Sequence, residues 1–286
     1  MAAATRISIG LLGYGEAGKI LAGEFARHSH AAVRAYDILF LTPALFARAA
    51  ETAASVGVTA VAELGAFIGD CEIIISVVTA DQAVAAAEAA AKYLKAGQLF
   101  LDFNSVAPAT KRAAAAFIEA SGAAYVDCAV MATVPGVGLA VPILAGGKAA
   151  RRAADLLNAF GMRIEVVSDE IGRASATKLC RSIVIKGMEA LMVDFSLAAR
   201  QSGVFEDVVQ SLDATFPTLN FTALAAAMRG RVERHGKRRA AEMREAAKML
   251  DDLGVDGGLA RAIADVHDHV ARDFSLEKAK SPQRGR

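Results

Sequence analysis

The first half of the chain repeats one pattern: a short, almost continuously apolar run, a turn, then a stretch with helical spacing of its apolar residues. Ile7-Ser8-Ile9-Gly10-Leu11-Leu12 reads as a buried strand and residues 19–28 as the helix after it, and Ala32-Val33-Arg34-Ala35-Tyr36-Asp37 reads as a second strand. Strand-like runs recur at 73–78, 99–102 and 124–130, with helical patterns over 81–95 and 107–121 between them. Two more strands, at 142–147 and 163–167, flank a helix over 148–160. Such alternation predicts a doubly wound parallel sheet with helices on both faces, an α/β Rossmann-type fold. From Ile171 the strand pattern stops. Helical periodicity runs to Gln201, and later helices are expected near 205–213, 221–234, 238–253 and 258–274. The expected organisation is a nucleotide-binding domain over residues 1–168 and an all-helical domain over 169–286, joined by one long helix.

The turn after the first strand reads Gly13-Tyr14-Gly15-Glu16-Ala17-Gly18. In this strand-to-helix setting the spacing is a dinucleotide fingerprint. The first glycine permits the tight turn, the second lets a pyrophosphate approach bare backbone, and the third lets the helix pack closely on the sheet. The diphosphate then meets the unpaired N–H groups at the positive end of the helix. Asp37 ends the second strand nineteen residues past Gly18, where an acid that binds the ribose hydroxyls belongs. A carboxylate there repels a 2′-phosphate, which favours NAD over NADP, although Arg34 and Arg48 are near enough in sequence to leave NADP open. A solvated turn aspartate is the plainer reading of the same residue.

Composition limits the remaining possibilities. Of 286 residues 54% are hydrophobic and 22% charged, and the formal net charge of +1 supplies no global field for nucleic acid or an acidic membrane. The nearest basic patch, Lys278, Lys280, Arg284 and Arg286, reads as a solvated tail. Cys71, Cys128 and Cys180 lack the spacing of a zinc site or a disulfide framework, which suits a reducing cytoplasm. Cys128 and Cys180 read as small buried fillers. No apolar run reaches bilayer length, and Met1 to Arg6 lead directly into the first strand with no room for a cleavable signal. His267 and His269, two apart on a helix, do not face a common ion, so no metal is expected.

Other candidate positions cluster at the ends of the expected strands, where ligands bind in open α/β sheets: Val78-Thr79, Asn104-Ser105 and Met131-Ala132-Thr133. Ser105, close before Pro108, also has a purely structural reading as a helix N-cap. Lys178 lies among small residues in Gly172-Arg173-Ala174-Ser175-Ala176-Thr177-Lys178-Leu179-Cys180-Arg181-Ser182, with Ser175 and Ser182 on nearly the same helical face. A lysine partly withdrawn from water beside an oxidised nicotinamide is a proton acceptor for an alcohol. The competing reading is a lysine that snorkels into solvent.

In these segments the chain resembles the β-hydroxyacid dehydrogenase superfamily, which includes 6-phosphogluconate dehydrogenase and 3-hydroxyisobutyrate dehydrogenase. The resemblance rests on residues 13–18, on Ile75-Ser76-Val77-Val78, on Asp102-Phe103-Asn104-Ser105-Val106-Ala107-Pro108, on Asp127-Cys128-Ala129-Val130, and on the Lys178 helix. It implies that Lys178 is the general acid/base, that Ser182 helps orient the substrate oxygen, and that the Ser105 turn lies against nicotinamide and substrate. Two positions depart from the family pattern. Met131-Ala132-Thr133 stands where members carry Ser-Gly-Gly for carboxylate binding, and Ser182 stands where they carry asparagine. Both departures, with Lys186-Gly187-Met188-Glu189-Ala190-Leu191 and 235–243, resemble a subgroup whose C-terminal domain was long catalogued as of unknown function. The resemblance also implies a homodimer through the helical domain and a role for His235 and Arg239 at the substrate's anionic group. The basic run around them, Arg234 to Arg239, reads equally as a solvated helix start.

The function expected is hydride transfer between NAD or NADP and a small β-hydroxy acid or its carbonyl form. Two alternatives stand beside it: an imine or ketone reductase on the same fold, and a non-catalytic NAD(P)-binding regulatory protein.

Overall fold

The computed structural model describes residues 6–280, with side chains through Phe274. The leader reading at Met1 to Thr5 and the tail residues Arg284 and Arg286 lie outside the described residues, as do the side chains of Lys278 and Lys280. Eight strands form one sheet: β1 (Ile7–Leu12), β2 (Ala31–Tyr36), β3 (Thr59–Ala60), β4 (Ile73–Ser76), β5 (Leu99–Asp102), β6 (Ala124–Val130), β7 (Pro142–Gly146) and β8 (Arg163–Ser168). Between them run α1 (Glu16–Phe25), α2 (Pro43–Ala54), α3 (Leu64–Gly69), α4 (Ala83–Ala91), α5 (Pro108–Ala120) and α6 (Ala150–Asn158). The strand order is β3-β2-β1-β4-β5-β6-β7-β8, so the winding reverses between β1 and β4. This is the doubly wound Rossmann arrangement, and the reversal opens a crevice at the carboxyl ends of those strands.

Both sheet faces are buried, which explains the unbroken apolar runs. Ile73, Ile75, Leu99 and Leu101 face a core shared with Leu21 and Phe25 of α1 and Leu157 of α6. Their neighbours Ile74 and Phe100 face the opposite core, with Phe67 of α3, Ala87 of α4 and Ile118 of α5. The expected doubly wound parallel sheet is present with one exception, β7, which pairs antiparallel with β6. Only residues 131–141 link these two strands, too few for the helical crossover that a parallel pair requires.

The helices that follow are α7 (Arg173–Gln201), α8 (Phe205–Thr215), α9 (Phe221–Asp252) and α10 (Gly258–Lys280). The chain divides into two compact units between Lys178 and Leu179, inside α7. Two separate helices were expected where α9 runs unbroken. Gly236, at the expected gap, is a packing glycine: a Cβ there would stand 2.5 Å from the carbonyl oxygen of His267 and 2.8 Å from Ala271 Cβ on α10. Met192, Phe205, Phe221 and Met228 form a smaller core within this unit. Among the described residues, no helix is long and apolar enough to cross a membrane.

Candidate functional site

Each glycine of the fingerprint meets a different demand. Gly13 has φ +104°, and a Cβ on it would stand 2.5 Å from the Val77 carbonyl oxygen. A Cβ on Gly18 would lie 2.1 Å from the carbonyl oxygen of Gly13, so the loop and the first turn of α1 touch backbone to backbone. Gly15 is different. It is exposed, its φ of −75° suits any residue, and a Cβ on it would meet nothing within 4 Å. No feature of the chain's own packing requires glycine there, whereas a diphosphate lying on the loop does. Lys19 is the first amide of α1 to find a helical acceptor, the Gly15 carbonyl, which leaves the amides of Glu16, Ala17 and Gly18 in the unpaired first turn. The loop therefore fits a dinucleotide.

Asp37 is tied to this loop. Its carboxylate accepts the Tyr14 amide at 2.8 Å and the Leu39 amide at 3.0 Å, so it caps the turn after β2 while retaining further acceptor capacity. Arg34 is engaged by Asp70 at 3.0 Å. Across the winding reversal, Asn104 is buried, accepts the Val78 amide at 2.8 Å and donates to Ser76 Oγ at 3.0 Å. Its side chain braces the ends of β4 and β5; Thr79 beside it is exposed.

Ser105 is not an N-cap: Ala107 holds that place, with Pro108 opening α5. The Ser105 hydroxyl instead accepts a hydrogen bond from Nζ of half-buried Lys178, so the lysine folds onto the turn beyond β5. Met131, Ala132 and Thr133 leave the end of β6, with the Met131 amide committed to the Pro142 carbonyl at 2.8 Å and Ala132 and Thr133 exposed. Lys178, Ser105 and the Met131 segment thus gather at the same sheet edge as the glycine loop.

A buried polar cluster in this unit has no counterpart among the sequence expectations. Asp102 and Asp127 are register partners on β5 and β6, and the ammonium of fully buried Lys111 lies 3.1 Å from one and 3.5 Å from the other. Burial alone would depress the Lys111 pKa, but the two carboxylates outweigh it and hold it above the ordinary lysine value. Tyr125 donates to Asp102 at 2.6 Å, and burial together with that carboxylate pushes its phenol well above the usual range. A signal existed: Lys111 shares a helical face with Ala114, Ala115 and Ile118, an apolar face that only a paired lysine joins.

The helical unit carries its own polar cluster. Ser182 donates to Glu242, and Lys186 Nζ lies 3.1 Å from Ser182 Oγ and 3.0 Å from Glu242. Burial holds Lys186 below the ordinary lysine value against the pull of Glu242. Arg239, proposed for a substrate anion, is chelated by the fully buried carboxylate of Glu189. His235 stands on the exposed face of α9. Cys180 is exposed, which corrects its reading as a buried filler; Cys128 is fully buried.

Residues 8–168 match the model of the NAD-binding domain of 6-phosphogluconate dehydrogenase, more than half of the chain. The chain belongs to this family. Residues 199–270 match a domain of unknown function, which identifies the subgroup expected from the sequence. A conserved hypothetical protein of Sinorhizobium meliloti 1021 is 34% identical, over 100% of this chain and 92% of that one, with a TM-score of 0.81. A conserved protein of unknown function, described as structurally similar to 3-hydroxyacid dehydrogenases, is 30% identical over 95% of this chain and 99% of its own, with a TM-score of 0.73. The 3-hydroxyisobutyrate dehydrogenase of Mycobacterium tuberculosis, solved with L-serine, covers 97% of this 6-phosphogluconate dehydrogenase-type chain and 100% of its own at a TM-score of 0.75; at 18% identity that likeness concerns the fold.

Proposed function

We propose that this family member is an NAD(P)-dependent dehydrogenase that interconverts a small β-hydroxy acid with its carbonyl form, Lys178 serving as general acid/base. The observation that carries the reading is the hydrogen bond from Lys178 to Ser105. It holds the amine at the sheet edge that presents the glycine loop, and it pairs the amine with a hydroxyl, the same group that an alcohol substrate would bring. The nicotinamide, when bound, supplies the acceptor or donor of hydride. In the oxidative direction the neutral Lys178 amine takes the substrate hydroxyl proton, Ser105 orients the same oxygen, and in reduction the ammonium returns the proton. Ser182, one turn further along α7, would assist only if Glu242 releases its hydroxyl.

Asp37 favours NAD, because its carboxylate accepts ribose hydroxyls and repels a 2′-phosphate while Arg34 is held by Asp70. His235 and Arg239 remain proposals for the substrate's anionic group; Arg239 serves only if Glu189 releases it. The proposed partner is a second copy joined through the helical unit, where Val184 and Leu191 of α7 stay exposed. A sedimentation experiment at micromolar concentration tests this, and a pure monomer rejects it.

The decisive experiment is a panel of hydroxy acids and sugar acids with NAD and NADP, read as reduced-nicotinamide absorbance, beside Lys178→Ala. The expected loss in kcat is about 10²- to 10⁴-fold. Equal turnover by the variant overturns the assignment of the proton carrier.

A further inference from the structure

We infer that Asp127 and Lys111 are positioning residues that set Lys178 against Ser105, an inference that rests on the reading of Lys178 as the proton carrier. Asp127 lies within β6 and is fully buried. One of its oxygens accepts the Gly172 amide at 3.0 Å, the Ser175 amide at 3.1 Å and the Ser175 hydroxyl at 3.2 Å. A carboxylate 45 residues upstream therefore caps the N-terminus of α7, and its charge meets the positive end of that helix. Ser175 is three residues before Lys178, on nearly the same helical face.

The other Asp127 oxygen has only Lys111, at 3.5 Å. That ammonium is in turn 3.1 Å from the Asp102 carboxylate and donates to the Asp102 carbonyl at 2.6 Å and the Cys128 carbonyl at 3.3 Å. Asp102 accepts the Asn104 amide at 2.8 Å and so fixes the turn that carries Ser105. Two carboxylates side by side on adjacent strands repel each other unless a cation separates them. Here the cation links them, and each carboxylate then holds one of the two elements that carry the reacting pair. The chain of contacts runs from the Ser105 turn through Asp102, Lys111 and Asp127 to the first turn of α7, and Lys178 closes the ring onto Ser105.

Tight packing removes alternative placements of the helix start. Gly172 has φ +103°, and a Cβ on it would stand 3.1 Å from Pro108 Cβ; a Cβ on Gly146, the register partner of Asp127, would stand 2.7 Å from the Glu170 carbonyl oxygen. The turn before α7 is thus clamped between α5 and β7. None of the positioning groups is exposed, so they act on Lys178 through the backbone rather than on substrate.

The test uses Asp127→Asn and the milder Ser175→Ala in the full chain, with amine labelling by an N-hydroxysuccinimide ester read residue by residue by mass spectrometry. In both variants Lys178 is expected to label roughly tenfold faster, the factor that one lost hydrogen bond allows, while Lys111 stays protected. For a hydroxy acid that the wild type oxidises, kcat falls about 10- to 100-fold with the NADH dissociation constant unchanged. If Lys178 labels at the wild-type rate in both variants, or if Lys111 becomes labelled along with it, the inference is overturned, the second result marking a merely structural role. Unimpaired turnover by Lys178→Met would instead remove the proton-carrier reading and leave the labelling result to judge the positioning on its own.

Discussion

The Asp37 carboxylate accepts the Tyr14 amide at 2.8 Å, which joins the acid at the end of β2 to the glycine-rich turn after β1. One side chain therefore shapes the glycine-rich turn and, under the proposed function, also offers acceptors to the ribose hydroxyls. Asp37→Ala should weaken NADH binding about 10- to 100-fold, since hydrogen bonds to a charged group are worth roughly 1.5–3 kcal/mol. The loss for NADPH should be smaller, because removal of the carboxylate also removes its repulsion of the 2′-phosphate. Fluorescence titration with both coenzymes measures the two losses, and equal losses would remove the proposed preference for NAD.

Gly15 and Gly18 make opposite predictions although they belong to one motif. Gly18→Ala places a Cβ 2.1 Å from the Gly13 carbonyl oxygen, and backbone must move; a loss of about 1–3 kcal/mol in unfolding free energy is expected. Gly15→Ala meets open space and should unfold like the wild type while binding NADH far less tightly. Denaturant melts and coenzyme titration of the two variants separate folding from binding, and wild-type affinity in Gly15→Ala would show that the diphosphate does not lie on that residue.

In the long helix α9, helix propensity and packing oppose each other. Replacing a mid-helix glycine with alanine gains about 1 kcal/mol in propensity. At Gly230 the nearest atoms belong to the flexible Arg234 guanidinium, 3.3 Å or more from the added Cβ, so Gly230→Ala should stabilise the protein. At Gly236 the obstacle is the His267 carbonyl at 2.5 Å, and an overpacking cost of about 1–3 kcal/mol exceeds the propensity gain. Melts of the two variants should move in opposite directions.

These contrasts show what was legible in the sequence. The Rossmann half was readable because strands buried on both faces give continuous apolar runs, and because turns off such strands demand glycine. Residues between Asp37 and Ile73 yielded no elements: β3 has two residues and α3 six, too short to support a period, and α2, with twelve, fully buries only Ala53, so no apolar stripe marks it. Gly236 resembled a helix break because composition alone does not distinguish a glycine that ends a helix from one that admits a neighbouring helix. In the candidate site, Lys178 and Ser105 were each visible by spacing and family pattern, yet their pairing joins positions 73 residues apart and required the fold. Lys111 was missed because a lysine on a helix usually means solvent, and the two carboxylates that bury it come from different strands.

His267 makes the remaining prediction, on stability. It is fully buried on α10, and its Nε2 lies 3.9 Å from Glu189. Burial, helped by the positive charges of Arg239 on α9 and Lys186 on α7 and opposed by a backbone hydrogen bond at Lys186 and by Asp268 on its own helix, lowers its pKa to about 4. Between that value and the ordinary histidine range near 6.5 the unfolded chain binds a proton that the folded chain refuses. Stability is therefore full above about pH 6.5 and declines as pH falls toward 4, by about 1.4 kcal/mol per pH unit and roughly 3 kcal/mol in all. Other groups titrate in the same window, so the measurement is the difference between wild type and His267→Leu, a variant of similar volume with no proton to bind. Urea melts at intervals from pH 7 to pH 4 should show the wild type losing more stability than the variant. Parallel curves would mean that His267 is as easily protonated inside the helical unit as in water, and that the cations beside it are too well neutralised by Glu189 and Glu242 to oppose a third positive charge.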